Sequence, residues 1–433
     1  MTSLSIPPSP EDVKQPDRPK LLQVLGPGLI TGASDDDPSG IATYSQAGAQ
    51  FGFALGWVML FSWPLMCAIQ EISARIGRVT GRGLAGNLKQ HYPAWITYSV
   101  VSLLVIANVI NIGADLGAIG AALKLLLGGP ELVYVVAFGL VSVLLEVFSR
   151  YARYVSILKW LTLSLFSYVA VAFVVHMPWG EALHDLVVPR LIFDGPQLTV
   201  IVAILGTTIS PYLFFWQAEA EVEEVAERPL AKPLSLAPDQ APAEFRRIRV
   251  DTYIGMAFSN IAALFIILVT AATLHAHGIT DIQTSAQAAE ALRPIAGPFA
   301  FAVFAVGIIG TGLLALPVLA GSSAYALGEI FGWKVGLARK PLQAKAFYGA
   351  IAMATLVGVV LNFSPIDPIK ALFWTAVING LVAVPIMATM MHLSSHRAAM
   401  GDFTLHTGLK IMGWVATLVM AAAAVGLFLK WGG

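Results

Sequence analysis

Long apolar runs follow one another along the whole chain, separated by short polar segments. Each run is close to the ~20 residues that an α-helix needs to cross a bilayer. The clearest two have no charged residue between Lys89 and Asp115 and none between Thr252 and Leu274. The pattern predicts an all-α polytopic membrane protein with about eleven transmembrane helices. The predicted spans are 23–48, 52–74, 95–127, 132–148, 154–175, 197–220, 251–274, 297–330, 345–362, 369–391 and 408–430.

Composition agrees with a membrane protein. The chain is 57% hydrophobic and 12% charged, with a mean hydropathy of +0.74 and no net charge. A soluble domain carries roughly 25% charged residues, about twice as many. Balanced charge offers no basic surface for nucleic acid, and the single cysteine, Cys67, excludes a disulfide framework and a cysteine-based metal cluster. No nucleophile triad or nucleotide motif occurs, so we expect neither an enzyme nor a resident cofactor.

Basic residues indicate the orientation, because cytoplasmic loops are enriched in Lys and Arg. With the N-terminus inside, the inner segments hold 20 basic residues and the outer segments hold 5. The sequence therefore predicts a cytoplasmic N-terminus and an outer C-terminus in the plasma membrane, as in a bacterial inner membrane. The lipid bilayer is the expected surrounding, and no obligatory protein partner is evident.

The spans and the polar segments divide the chain. Residues 1–22 form a predicted cytoplasmic tail, residues 23–393 a transporter core, and residues 394–433 a loop with the eleventh helix. Within the core, the four prolines of residues 226–245 predict a mobile, non-helical cytoplasmic linker.

Two spans are interrupted by residues that a simple membrane anchor does not tolerate. The first contains Asp35-Asp36-Asp37-Pro38-Ser39-Gly40, and the sixth contains Gly206-Thr207-Thr208-Ile209-Ser210-Pro211-Tyr212. Each proline removes a backbone donor and frees carbonyl groups. Unwound backbone at this depth is acceptable only beside protein or a watery cavity. The alternative, that both prolines only kink their helices, leaves the costly aspartates unexplained.

The two interrupted helices are the first members of two sets of five spans, residues 23–176 and 197–393. Because five is odd, the second set enters the membrane from the opposite side. This is the pattern of an inverted-repeat transporter whose site lies between two discontinuous helices at the midplane.

The third span adds polar side chains on one face. Asn108, Asn111 and Asp115 are spaced i, i+3 and i+7, within about 60° of one another on a helix. Both asparagines fit either interhelical hydrogen bonding or the transport path, whereas an intramembrane aspartate favours the path. All of these groups are oxygen ligands, and the aspartates would repel an anion, so the predicted substrate is a cation.

Several motifs resemble the Nramp family of divalent metal transporters over nearly the whole chain. The resemblance implies the LeuT-type fold, metal transport and a site shared by the first and sixth helices. The matching segments are Gly26-Pro-Gly-Leu-Ile-Thr, Asp37-Pro38, Ile41-Ala42-Thr43, Gln46-Ala-Gly-Ala-Gln50, Ser73-Ala-Arg75, Val79-Thr-Gly81, Gly401-Asp-Phe403 and Leu409-Lys-Ile-Met-Gly-Trp414.

The chain departs from this family at the implied ligands. The family's Asp-Pro-Gly-Asn is here Asp37-Pro38-Ser39-Gly40, so the asparagine is lost. Its Ala-Thr-Val-Met-Pro-His is here 207–212, with Ser210 for the methionine and Tyr212 for the histidine. On the third helix, Asp115 matches but Ala118 stands where the family has glutamate. These departures resemble the Nramp-related magnesium transporter branch.

Each departure has a physical interpretation. Serine in place of methionine removes the soft ligand that favours Fe2+ and Mn2+. Gly40 beside Ser39 is expected to enlarge the cavity so that waters stay on the ion, which suits Mg2+. The expected metal-site residues are Asp36, Asp37, Gly40, Asn111, Asp115, Thr207 and Ser210, and the weaker pathway candidates are Pro38, Ser39, Asn108, Pro211, Tyr212 and Asn379.

No histidine falls at mid-span, and Ala118 removes a further acid, so the usual proton relay groups are missing. The sequence therefore predicts Mg2+ transport, with Mn2+ also carried, by alternating access without proton coupling. Asp115 leaves proton transfer open. Two alternatives remain: a proton-coupled Mn2+/Fe2+ importer, and a LeuT-fold carrier of an organic solute held by the aromatic residues 212–216.

Overall fold

The computed structural model describes residues 27–148, 165–228 and 230–431, and every regular element in these ranges is helical. The predicted tail and half of the predicted fifth span, 154–175, lie outside the described residues. The helices of eight residues or more are α1 (Pro27–Asp35), α2 (Pro38–Phe51), α3 (Gly56–Thr80), α4 (Leu84–His91), α5 (Ala94–Leu127), α6 (Glu131–Phe148), α7 (Phe166–Val174), α8 (Trp179–Val187), α9 (Gly195–Thr208), α10 (Pro211–Glu227), α11 (Ala241–Thr273), α12 (Ala300–Phe331), α13 (Lys345–Leu361), α14 (Pro368–Ser395) and α15 (Thr407–Trp431).

Shorter elements connect these helices. They are the α-helical turns Ser285–Glu290, Arg293–Ala296 and Arg397–Met400, and the 3-10 turns Gly52–Leu55, Pro238–Gln240, His275–His277, Gly297–Phe299, Pro341–Gln343 and Gly401–Phe403.

Eight helical stretches of the described residues are long and apolar enough to cross a membrane. The 17-residue helix α13 is apolar but shorter. Large apolar side chains such as Ile106, Leu140 and Leu356 face outward from α5, α6 and α13, as expected for surfaces that contact lipid. The stretches are Pro38–Thr80, Ala94–Leu127, Glu131–Phe148, Gly195–Glu227, Pro238–His277, Arg293–Phe331, Pro368–Ser395 and Thr407–Lys430.

Both predicted helix breaks are present, and their local causes are the same. Asp37 is extended, with φ −69° and ψ 170°, and Pro38 begins α2. Ser210 is also extended, with φ −79° and ψ 133°, and Pro211 begins α10. A residue that precedes proline is forced out of the helical region, and proline fits the first helical position because that N–H would be unpaired anyway.

The two sets of helices make equivalent contacts, as an inverted repeat requires. α2 packs on α11 while α10 packs on α3, and α5 packs on α6 while α12 packs on α13. Glycines allow the first two approaches: a Cβ on Gly48 would lie 2.3 Å from the Ile267 carbonyl oxygen, and one on Gly77 would lie 2.1 Å from the Ala218 carbonyl oxygen. The repeat therefore packs through corresponding helix pairs.

The predicted linker 226–245 is wrong at both ends. Helix α10 continues to Glu227, and α11 begins at Ala241 because Pro242 stands in the first turn, where a proline is tolerated. The connection is also docked rather than loose: Leu234 is buried, and its N–H and that of Ser235 donate to the carbonyls of Arg78 and Val79 at 3.1 Å. We call the face that carries this connection and α4 the α4 face.

Candidate metal site between the broken helices

Asp37 lies at the first break and is held in place by three hydrogen bonds. Its Oδ1 accepts from the backbone N–H of Gly40 at 2.8 Å and from the Ser39 hydroxyl at 2.6 Å. Its Oδ2 accepts from Asn111 Nδ2 of α5 at 2.9 Å. The carboxylate thus caps α2, where the helix dipole stabilises its negative charge. Three contacts fix its orientation before any ion arrives.

The second break brings hydroxyl and carbonyl oxygens to the same place. Ser210 Oγ donates to the carbonyls of Gly206 and Thr207 at 2.8 and 2.7 Å. Its single proton is used there, so the lone pairs of Ser210 Oγ remain available to a cation. Ser210 and Thr207 are each 1% exposed.

The two breaks meet at Gly40. A Cβ on Gly40 would lie 3.0 Å from Thr207 Oγ1 and 3.2 Å from Tyr44 Cε2. The expected enlarged cavity is therefore not found at this point, because the side chains of Thr207 and Tyr44 occupy the room that a larger residue 40 would take. Gly40 instead lets α2 and α9 approach closely.

Asp35 and Asp36 point away from Asp37, toward α11. The Ser259 hydroxyl lies 2.5 Å from Asp35 Oδ2 and 3.1 Å from Asp36 Oδ1. The Ser259 hydroxyl has one proton and can donate it to only one of the two carboxylates at a time. The other carboxylate therefore needs a cation or a further proton as its partner. Asp36, predicted as a ligand beside Asp37, thus belongs to a neighbouring group of oxygens that includes the Ser259 hydroxyl.

The polar residues of α5 separate into two roles. Asn108 Nδ2 donates to the Leu319 carbonyl at 3.1 Å and to the hydroxyls of Ser322 and Ser323 at 2.9 Å. Of the two roles open to Asn108, these contacts favour interhelical hydrogen bonding. Asn111 faces Asp37. Asp115 is completely buried, and neither of its carboxylate oxygens has a hydrogen-bond partner among the described residues.

Two further pathway candidates line the same region. The Tyr212 hydroxyl, in the first turn of α10, donates to the carbonyl of Ser34 in α1 at 3.1 Å and so connects the two interrupted helices. Asn379 of α14 is 1% exposed, and both its amide oxygen and its amide nitrogen lack a partner in the described structure. Buried amides are normally hydrogen-bonded, so Asn379 is available to an ion or its waters.

Four buried carboxyl groups lie in this region without basic partners among the described residues. Asp35, Asp36, Asp37 and Asp115 are between 0% and 6% exposed, and no lysine or arginine of the described residues forms an ion pair with any of them. Removing one ion from water costs several kcal/mol unless it is paired. In the described part of the chain, no three His, Cys, Asp or Glu side chains are grouped as a ready metal cage. A bound cation would therefore also use hydroxyl, carbonyl or water oxygens.

Comparison with known proteins identifies the family. The family model described as natural resistance-associated macrophage protein-like, Nramp, matches residues 28–430. The chain belongs to the Nramp family. Two relatives are both named divalent metal cation transporter MntH. The Klebsiella pneumoniae (strain 342) protein is 25% identical over 93% of this chain and 92% of its own length, and the Burkholderia ambifaria protein is 27% identical over 95% and 89%.

Solved structures agree on the fold. The Eremococcus coleocola manganese transporter, bound to an aromatic bis-isothiourea compound, superposes with a TM-score of 0.73 at 16% identity, covering 94% of this chain and 86% of that one. Mhp1, a nucleobase-cation-symport-1 family transporter, superposes with a TM-score of 0.56 at 14% identity, covering 93% and 92%. The Nramp chain thus has the predicted all-α, LeuT-type inverted-repeat fold with broken first and sixth helices.

Sequence reasoning missed Ser259 and Tyr44. Ser259 stands in an uncharged span, and the signal available was the polar pair that it forms with Asn260 in an otherwise apolar stretch. Tyr44 follows Gly40 by one helical turn, so the spacing placed it on the same face. Neither signal specifies which neighbour the side chain meets.

Proposed function

We propose that this Nramp protein transports Mg2+, and Mn2+ as well, by alternating access and without proton coupling. The observation that carries the proposal is a group of buried carboxyl groups that form no ion pair within the described residues and lie where two interrupted helices meet. Such a group requires cations or protons to balance its charge. Transporters with discontinuous helices hold ions in this way, with oxygen ligands beside the ends of the interrupted helices.

The ligand chemistry favours a hard ion. Asp37, Thr207 and Ser210 offer oxygen, and Ser210 supplies no soft sulfur. Mg2+ dehydrates reluctantly and usually keeps several waters. A site at which the described residues form no complete protein cage suits such an ion. Because Thr207 and Tyr44 fill the room at Gly40, a hydrated ion requires these side chains to move when the path opens.

The proposal that transport is not coupled to protons rests on two positions at which this chain has replaced a titratable group. Ala118 replaces an acid one turn from Asp115, and Tyr212 replaces a histidine beside the second break. An inside-negative potential supplies ~4.6 kcal/mol per 100 mV for a divalent ion, twice the single-charge value. Downhill flux thus needs no proton partner. Asp115, which is buried and has no hydrogen-bond partner in the described parts of the chain, is the residue through which a proton could still move.

Orientation and gating complete the proposal. The α4 face carries most of the basic residues, so we assign it to the cytoplasm. Helix α1 closes this side: Thr31 Oγ1 donates to Gln217 Oε1 of α10, and the N–H of Gly28 donates to Asp251 Oδ2 of α11 at 2.7 Å. Release into the cytoplasm requires α1 to separate from these contacts.

A second candidate is a proton-coupled Mn2+/Fe2+ importer, favoured by the manganese transporter among the similar structures. The third candidate, an organic-solute carrier, is not supported by the positions of the aromatic residues that suggested it. Phe214, Phe215 and Trp216 are buried in helix packing, and the Trp216 ring lies against Gly321 and Tyr325.

Competition in proteoliposomes tests the proposed selectivity. Mg2+ uptake is measured with an enclosed fluorescent indicator, alone and with Mn2+ at equal concentration outside. We expect uptake of Mg2+ that Mn2+ reduces only in part. Complete suppression by equimolar Mn2+, or no Mg2+ entry at all, would favour the manganese importer instead.

A further inference from the structure

Helix α10 carries a second set of carboxylates at the α4 face, and all but one of those that are buried or half-buried have ordinary partners. Glu221 pairs with Arg247, and Glu224 pairs with Arg228 at the end of the helix. Glu223 accepts hydrogen bonds from the Tyr325 hydroxyl and from the N–H of Leu337. These are structural contacts of a charged helix end.

Glu219 is different because its neighbour is another carboxyl group. It is 3% exposed, and its Oε1, which has no hydrogen-bond partner among the described residues, lies next to Glu329 of α12, because an oxygen of each carboxyl group lies against the position that a Cβ on Gly83 would take. Neither Glu219 nor Glu329 forms an ion pair with a basic residue in the described part of the chain. Two buried carboxyl groups in such close contact share a proton, because two adjacent carboxylates would repel each other.

Glu329 is fixed by the first turn of α4. Its Oε1 accepts from the N–H of Gly83 and its Oε2 from the N–H of Gly86, both at 2.7 Å. Helix α4 has no side-chain cap of its own, so Glu329 supplies one, with its negative charge at the positive end of the helix dipole. The ionised partner of the pair is therefore Glu329, and the proton lies on Glu219.

The glycines of this turn make the room. A Cβ on Gly83 would lie 1.8 Å from Glu219 Oε1 and 2.7 Å from Glu329 Oε2, and one on Gly86 would lie 2.5 Å from Glu329 Oε1. Both carboxyl groups thus fill a space that exists only because residues 83 and 86 lack side chains.

The pair joins two groups of helices. α10 packs on α3, where the Ala218 carbonyl touches Gly77, and the Phe214 carbonyl accepts from the Ser73 hydroxyl. α12 packs on α5 and on α4. Alternating access in inverted-repeat transporters occurs by movement of one helix group against the other. Glu219 and Glu329 face each other across that division, on the side that α1 closes.

We propose that Glu219 and Glu329 form a proton-binding site, separate from the metal path, whose proton holds α10 against α12 and α4 and keeps the α4 face closed. Loss of the proton to water leaves two adjacent carboxylates that repel each other. The closed arrangement binds one proton more than the separated one, so rising pH on the α4 face favours opening, by at most about tenfold per pH unit.

Few other charged groups face the pair. Glu223 and Tyr325 lie beside it on α10 and α12, and Arg82 lies beside Glu329 in the loop before α4. Lys89 and His91 are in the last turn of α4, at its opposite end. Glu223 is already hydrogen-bonded and Arg82 is exposed, so the shared proton is the main titrating element.

Spin labels measure the opening directly and without metal. One label is placed at Ala226→Cys on the exposed end of α10 and the other at Lys89→Cys on α4, in a Cys67→Ala background. We expect the distance between the labels to lengthen in the otherwise native protein between about pH 5 and about pH 8. Glu219→Gln keeps the hydrogen-bond donor but cannot ionise, so the distance stays short at both pH values.

Two further variants complete the test. Glu227→Gln, an exposed carboxylate on the same helix, should respond to pH as the parent does. Glu219→Ala, which removes the titrating group without adding bulk, should lose the response even if Glu219→Gln does not fold. An unchanged pH response in the Glu219 variants, or no response in the parent, would overturn the proposal.

The proton site itself does not depend on the proposed transport function. Only its expected effect on metal uptake rests on that function. Metal uptake is measured in parallel at the two pH values on the α4-face side, and we expect it to rise with pH in the parent and not in Glu219→Gln. A pH-dependent distance without any Mg2+ flux would contradict the transport proposal and leave the proton site standing.

Discussion

At the scale of single residues, Gly40 and Thr207 are complementary in size. Where the Nramp pattern has asparagine and alanine at these two positions, this chain has glycine and threonine. The contact explains the exchange: a Cβ on Gly40 would meet Thr207 Oγ1 at 3.0 Å. The two differences therefore form one change, in which a side-chain ligand on α2 is given up and a hydroxyl on α9 enters the same space.

This pairing predicts how the metal preference can be altered. Gly40→Asn alone should clash with Thr207 and reduce transport of every metal. Gly40→Asn combined with Thr207→Ala and Ser210→Met provides room, an amide ligand and a soft thioether. We expect that triple variant to favour Mn2+ over Mg2+ by about tenfold or more, equal to ~1.4 kcal/mol.

The measurement is uptake of each metal by proteoliposomes at matched protein density. Thr207→Ala/Ser210→Met without the asparagine is the control for the added amide. If the triple variant keeps the metal preference of the parent protein, residues 40, 207 and 210 do not form the selectivity site.

At the scale of helices, both breaks could be predicted from the sequence, because proline dictates its own φ and restricts the residue before it. The spans could be predicted as well, since apolar runs leave few alternatives in a membrane. The start of α11 could not. Its first two turns are polar, and Pro242 reads as a helix breaker unless the first turn is already known.

Close helix contacts depend on glycines that the sequence shows but does not explain. A Cβ on Gly32 would lie 2.3 Å from the carbonyl of Gly255, so α1 and α11 touch backbone to backbone. Gly206 makes the same kind of approach to α14, where a Cβ would lie 2.0 Å from the Ala376 carbonyl oxygen. Neither contact can be inferred without knowing which helices are neighbours.

These contacts predict a clear difference between glycine variants. Gly206→Ala should destabilise the fold by roughly 1–3 kcal/mol, because backbone atoms cannot yield as a flexible side chain would. Gly349→Ala on α13, where a Cβ meets nothing within 4 Å, should be neutral or slightly stabilising. Thermal unfolding of the purified variants in detergent checks both, and an equal effect of the two substitutions would contradict the close packing of α9 and α14.

At the scale of the whole molecule, four buried aspartates lie near the first helix break. The residue types predicted a site built from oxygen ligands. They did not predict that its carboxyl groups would face different helices. Asp36 and Asp37 are neighbours in sequence, yet one faces Ser259 on α11 and the other Asn111 on α5. An extended residue at the break turns consecutive side chains to opposite sides.

Transport without proton coupling predicts that Mg2+ entry carries charge but no acid. In proteoliposomes with an inside-negative potential, we expect Mg2+ uptake to increase with the potential while an enclosed pH dye reports no metal-dependent acidification. The Asp115→Asn variant should leave the dye signal unchanged. Metal-dependent acidification that disappears in Asp115→Asn would show that Asp115 carries protons and would contradict uncoupled transport.

The central claim is that Mg2+ crosses the membrane through the site held by Asp37 between the two breaks. The most direct measurement is Mg2+ uptake into proteoliposomes by the parent protein, by Asp37→Ala and by the control Asp281→Ala, an exposed carboxylate outside the site. We predict that Asp37→Ala abolishes uptake while its elution profile and thermal unfolding show a folded protein, and that Asp281→Ala transports as the parent does. Undiminished Mg2+ uptake by a folded Asp37→Ala variant would contradict the account.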